Sequence, residues 1–289
     1  MSFSSDVKEE LAKQISKSRH CQLAELAGII EISGRINEKT NGLELDTENL
    51  LLLNKYATLM KRAFGTDTTK ALDEQETSKI LAALKITAQP VNRQTTDGLL
   101  LMQTCCKRAF IRGAFMAAGS ISDPNKAYHF EIVCHTKEQA KQLQELLCGF
   151  DTDAKIVERK GHYVVYIKEG AHIVDSLNIM EAYVSLMKLE NVRILKEMRN
   201  SVNRKVNCET ANISKTVNAA VKQIEDIRLI QKMRGLDDLP AQLREMALLR
   251  LEYPDAPLKE LGGFLDPPMG KSGVNHRLRK LLAIAEELR

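Results

Sequence analysis

Several things are missing from this sequence, and each absence excludes something. No apolar run approaches the roughly 18 residues that a membrane-crossing helix needs, so no membrane partner is expected. The first residues, MSFSSDVKEELAKQI, are polar and carry acids, which is not the pattern of a signal peptide. The protein is therefore placed in the cytoplasm. None of the six cysteines (Cys21, Cys105, Cys106, Cys134, Cys148 and Cys208) sits in a CxxC pair. In a reducing compartment such residues read as small buried hydrophobes. His20, Cys21, Cys105 and Cys106 offer metal-ligand types, but their spacing is not that of a known zinc site. The reading is accordingly no metal and no cofactor.

A large net charge is also missing: the chain carries only +4. That charge is unevenly placed. Residues 1–189 hold 24 basic and 24 acidic side chains, whereas residues 190–289 hold 18 and 14. Within the second part, residues 193–234 carry 10 basic against 4 acidic side chains. Residues 271–280 carry Lys271, Arg277, Arg279 and Lys280 with no acid. A polyanion needs local positive potential, not a high total. The length of 289 residues suits about two domains, and the 44% hydrophobic and 28% charged content is that of an ordinary globular protein.

The first two-thirds of the chain repeats itself. LAGIIEISG at 26–34 and IRGAFMAAG at 111–119 align at an offset of 85, which also relates Cys21 to Cys106, Gly28 to Gly113 and Gly34 to Gly119. Each motif leads into a short strand pair and an amphipathic helix, at roughly 48–63 and 137–149. The offset rises to 93 when ETSKILAALKI (76–86) is set against EGAHIVDSLNI (169–179). Repeat two has a clear hairpin at roughly 154–159 and 162–168, with the alternation of HYVVYIK. FGTDT (64–68) and FDTDA (150–154) still match at an offset of 86, so repeat one is seven residues shorter after that point and is expected to lack its last strand or keep a stub. Asp6 and Glu9 have capping-box spacing at the start of a first helix.

Residues 26–34 resemble the LAGLIDADG motif of a homing-endonuclease family, with identity at Leu26, Ala27, Gly28, Ile30 and Gly34. The resemblance implies two helices packed through small residues, here Gly28, Gly113 and Ala114. It also implies a metal-binding acid just before each final glycine. Those positions are Ser33 and Ala118, which offer no carboxylate, so no catalytic residue is assigned. Glu31 lies two residues earlier, about 200° round the helix, and Met116 stands in its place in the second copy.

The C-terminal part reads as helical. In residues 190–234, Asn200, Asn203 and Asn207 share a face beside Arg204, either for DNA contact or for hydrogen bonds to a neighbouring domain. Residues 240–253 form a helix with Leu243, Ala247, Leu248 and Leu251 as its apolar stripe. A short helix follows at 257–265, then a rigid turn and a helix at 271–289 capped by Ser272. Val274, Leu278, Leu281, Leu282 and Ala285 form the last helix's buried stripe. Its exposed face then carries Lys271, Ser272, Gly273, Asn275, His276, Arg277, Arg279 and Lys280, with Lys259 from the helix before. Asn and Arg read base edges in the major groove, and Lys, Arg and a helix N-terminus hold phosphates. Further DNA contacts are assigned to Arg199, Asn203, Arg204, Lys205 and Lys215.

The LAGLIDADG-like body, RNSVNRKVNCETAN and the terminal LKELG with KSGVNHRLRKL together resemble the WhiA family over essentially the whole chain. The resemblance implies a bacterial regulator of cell division, chromosome segregation or sporulation-linked transcription. It would bind double-stranded DNA through a helix-turn-helix and associate with the nucleoid. The expected fold is α+β, with two degenerate repeats followed by an all-α domain. The expected boundaries are an N-terminal helix at 1–20, repeats at 21–86 and 105–189 around a linker at 87–104, a basic connector at 190–234, and the reader at 235–289. Two alternatives are a protein-interaction platform built on the neutral body and a metal-dependent endonuclease.

Overall fold

The computed structural model describes residues 2–68, 71–86 and 90–289. The chain divides into two compact units, Met1–Glu197 and Met198–Arg289. The first begins with α1 (Phe3–Lys13), which buries Val7 and Leu11. Its cap is Ser2, whose hydroxyl accepts from the Ser5 N–H. The Asp6/Glu9 spacing therefore falls inside helix already formed, and Asp6 serves as a first-turn acid.

The two repeats share one plan. In the first, α2 (Arg19–Ser33) runs into β1 (Gly34–Ile36), which pairs with β2 (Leu43–Leu45). Then come α3 (Leu50–Phe64) and α4 (Glu74–Ala83). In the second, α5 (Thr104–Ala118) runs into β3 (Gly119–Ile121) and β4 (Phe130–Cys134). There α6 (Lys137–Cys148) is followed by β5 (Lys155–Arg159), β6 (His162–Ile167) and α7 (Gly170–Met180). The second sheet is antiparallel with order β3-β4-β6-β5, so the late hairpin inserts its second strand against β4. Phe130, Ile132, Val165 and Ile167 face the core, at the alternation a half-buried sheet requires.

Among the described residues, repeat one has no counterpart of the whole β5–β6 hairpin, where the sequence pointed to the loss of one strand. Its sheet has two strands, and among the described residues between α3 and α4 there is none. Instead α4 closes the exposed edge of β2, where the Leu43 N–H donates to the buried Thr77 hydroxyl at 2.9 Å. The capping box of Asp73 and Glu76 sets where α4 begins.

Helices α2 and α5 lie side by side at the centre of the unit. A Cβ placed on Gly28 would fall on the Phe110 carbonyl oxygen, and one on Gly113 on that of Glu25. Beside this contact three charged groups, Glu25, Lys55 and Arg112, are buried together, with the partly exposed Glu181 at their edge. Glu25 receives Lys55 Nζ at 2.8 Å and Arg112 Nε at 2.9 Å on Oε1, and Arg112 Nη2 at 3.1 Å on Oε2. Arg112 Nη1 reaches Glu181 at 2.8 Å. Lys55 also donates to the carbonyls of Leu11 and Gln14, both at 2.6 Å. Every charge thus has partners, which a buried ion requires.

The segment joining the repeats is stitched down. It carries two short 3-10 turns, Val91–Arg93 and Gly98–Leu101, and buries Val91, Thr96 and Leu101. Residues 87–89 of the expected linker lie outside the described residues. Thr96 donates its N–H and its hydroxyl to Glu31, at 2.9 and 2.7 Å. Burial pushes the Glu31 carboxyl up to about 8, against the pull of these two bonds. The unfolded carboxyl ionises near 4.5, so Glu31 favours folding below that pH and progressively less as pH rises to about 8. The shift corresponds to roughly 3–5 kcal/mol. Relative to Glu31→Gln, the wild type should lose stability by that order between pH 4.5 and 8, read from urea midpoints across the range. A gap that stays constant with pH contradicts this.

Helix α8 (Tyr183–Met233) carries the chain from one unit into the other. It begins seven residues before the expected connector, because Leu189 and Ser185 are still buried in the first unit. In the second unit its last turns join α9 (Ala241–Glu252), α10 (Leu258–Gly263) and α11 (Lys271–Glu287). Ile227 and Ile230 pack with Leu243, Met246, Leu261, Val274, Leu278 and Leu281 in one core. The reader therefore includes the end of the connector. No helix of the described residues is long and apolar enough to cross a membrane.

Candidate nucleic-acid interface

The second unit is organised to hold α11 outward. Val274, Leu278, Leu281 and Ala285 are buried at helical spacing, and Leu282 is only partly covered. The turn before the helix closes when the Met269 N–H donates to the Gly262 carbonyl at 2.8 Å. A Cβ on Gly273 would meet the Met269 sulfur, so Gly273 is a packing residue of this turn. The helix N-cap is Gly270, not Ser272, which lies within the first turn. No side chain caps this end. Its first N–H groups, with the positive end of the helix dipole, are left for an anion.

Helix α9 differs from its expected stripe. Leu248 is exposed, and Met246 and Arg250 are buried in its place. Arg250 is a structural hub that the apolar pattern missed. Its Nε donates to Gln223 at 2.9 Å, and its Nη1 to the carbonyls of Ala256, Pro254 and Tyr253 at 2.8, 3.3 and 3.4 Å. It therefore ties α8 to the loop that precedes α10.

The assigned residues separate into groups. Lys271, Ser272, His276, Arg279 and Lys280 are exposed on α11, with Asn275 partly covered beside them. Lys259, Lys271 and Asn275 line a groove of about 330 Å³ with Lys215 and Thr216 of α8. This brings one connector lysine to the reader's own face. Arg199, Asn203, Arg204 and Lys205 are exposed on α8 and outside that groove. Lys205 precedes Lys215 by ten residues, about 15 Å along a helix axis. Asn200, Asn203 and Asn207 are likewise exposed. Arg277 departs from the expected outward face. Its side chain lies against α9, 3.5 Å from Glu245 and from the Gln242 carbonyl.

The LAGLIDADG positions offer no acid site. Ser33 and Ala118 end α2 and α5, and Glu31 is turned into the core toward Thr96. Among the described residues, the only grouping with metal-ligand geometry is His20, Cys21, Cys105 and Cys106, at the other end of the same helices. The sequence reading set these four aside as a metal site because their spacing matches no known zinc pattern; the fold nonetheless brings them together.

Comparison with known proteins agrees with this layout. The family pattern described as the WhiA C-terminal HTH domain matches residues 202–285. The WhiA LAGLIDADG-like domain matches residues 107–199. The probable cell division protein WhiA of Lachnoclostridium phytofermentans is 51% identical, with all of both chains covered. Its counterpart in Lachnospira eligens is 50% identical over all of this chain and 98% of its own. A crystal structure of full-length DUF199/WhiA from Thermatoga maritima superposes with a TM-score of 0.61 at 25% identity, covering 99% of each chain.

Proposed function

This chain belongs to the WhiA family, and from that premise we propose that it is a sequence-specific, non-catalytic DNA-binding regulator acting in cell division. Cytoplasmic and nucleoid localisation, with a part in chromosome segregation or sporulation-linked transcription, belongs to the same proposal. The observation that carries it is the outward face of α11. In this reading Asn275 and Arg279 contact base edges, and Lys215, Lys259, Lys271 and Lys280 hold phosphates; the exposure of Arg279, Lys271 and Lys280 on α11 and the shared groove of Lys215, Lys259, Lys271 and Asn275 support it. Arg277 is a packing residue in this scheme. The missing acids at Ser33 and Ala118 support a body without nuclease chemistry. That body, neutral over residues 1–189, positions the reader and recruits protein partners.

Genomic occupancy mapping supplies the site, and fluorescence anisotropy on that duplex tests the assignment. Asn275→Ala and Arg279→Ala should each cost about 1–3 kcal/mol and relax base preference. Lys259→Ala and Lys271→Ala should weaken all sequences alike and lower the salt slope by about 0.9 each. Lys155→Ala with Arg159→Ala, exposed on the sheet of the body, should leave affinity unchanged. Unaltered binding in the α11 variants, or its loss in the sheet variant, overturns the assignment.

A further inference from the structure

We propose that His20, Cys21, Cys105 and Cys106 form a structural site for one soft divalent cation of the zinc type. One ligand atom from each residue lies within 4.8 Å of all the others. His20 Nδ1 is 3.2 Å from Cys106 Sγ, 3.3 Å from Cys21 Sγ and 4.0 Å from Cys105 Sγ. A tetrahedral zinc with bonds of about 2.3 Å to sulfur and 2.0–2.1 Å to nitrogen separates its ligand atoms by about 3.5–3.8 Å. The four groups already bracket that spacing without an ion. Three thiols and an imidazole select a zinc-like metal over the hard, oxygen-seeking magnesium or calcium.

The placement is a second, independent argument. The offset of 85 that relates the repeats carries His20 onto Cys105 and Cys21 onto Cys106. Each repeat therefore contributes two ligands from the first turn of its central helix, α2 or α5. The cation would sit between the two helix starts, across from the ends that carry Ser33 and Ala118. Three thiolates with one divalent ion leave a net negative charge, which two helix N-termini favour. Cys21 and Cys106 are buried, while His20 and Cys105 are exposed and leave a path for entry. The ion would pin the two repeats together at the helix ends farthest from the degenerate acid positions.

The test uses the full chain, reduced, stripped with chelator and titrated with Co²⁺. One equivalent per chain should give thiolate-to-cobalt charge transfer and the strong visible bands of a tetrahedral site, displaced by Zn²⁺. Cys105→Ala and His20→Ala change exposed residues, so the fold should survive them, as circular dichroism will show. Each should weaken Zn²⁺ by more than the roughly 10–100-fold that losing an outer partner of a metal site costs. Cys148→Ser with Cys208→Ser should change nothing. Two results overturn the proposal: no thiolate charge transfer in folded, reduced wild type, or full Zn²⁺ affinity retained in both ligand variants.

Discussion

Replacing Arg112 with Ala is expected to cost the first unit about 3–5 kcal/mol, enough to unfold a marginal domain at 37 °C. The side chain is 2% exposed and holds Glu25 by two hydrogen bonds. It also reaches Glu181, Ser16 and the Met180 carbonyl, so one guanidinium joins elements from both repeats. Without it, Glu25 keeps only Lys55 as a charged partner, in a fully buried site where a lost donor is costly. Burial already pulls the Lys55 ammonium below its usual value, opposed by Glu25, so the remaining pair is poorly placed to compensate. The measurement is urea unfolding followed by circular dichroism, where the first unit should melt ahead of the second. A triple change of Glu25, Lys55 and Arg112 to Met should recover much of the loss. It leaves no fully buried charge unpaired, and Glu181 is about one-third exposed. A single change costing under about 1 kcal/mol would show that the cluster does not hold the repeats together.

Gly113→Val and Gly28→Val should each cost more than about 3 kcal/mol, beyond the usual range for overpacking. Overpacking is ordinarily relieved when side chains shift. Here the obstructing atoms are backbone carbonyl oxygens, of Glu25 for Gly113 and of Phe110 for Gly28. The two helices must separate bodily to admit a side chain, and the buried charges beside them separate too. Gly98→Val is the control, since nothing lies within 4 Å of its would-be Cβ. Thermal melts of the three variants decide the point: a Gly113 variant as stable as the Gly98 variant refutes the close approach.

Much of this was legible in the sequence because it rests on local periodicity. The glycines at matched offsets marked the central helices, and alternation in HYVVYIK marked β6. The apolar stripe of 271–289 marked which side of α11 stays outside. What stayed hidden involves charge inside apolar surroundings. Arg112, Lys55 and Arg250 look like solvated side chains in a linear pattern, and only long-range partners explain their burial. Arg112 stands within the motif itself, between Ile111 and Gly113, and that was the available signal. Arg277 misled for the opposite reason: its place on the helix suggested solvent, but Glu245 and the Gln242 carbonyl draw it to α9.

The sequence alone determined two repeats built on paired small-residue helices, the loss of acids at Ser33 and Ala118, and a basic helical end. These follow from residue identity and spacing, which neighbours along the chain set. The tertiary structure alone decided that, among the described residues, repeat one has no late hairpin, and that Lys215 joins the reader's groove. It alone decided that His20, Cys21, Cys105 and Cys106 meet. The physical reason is that these arrangements depend on residues far apart in the chain: for His20 and the three cysteines, the packing of α2 on α5 at Gly28 and Gly113 brings the helix starts together.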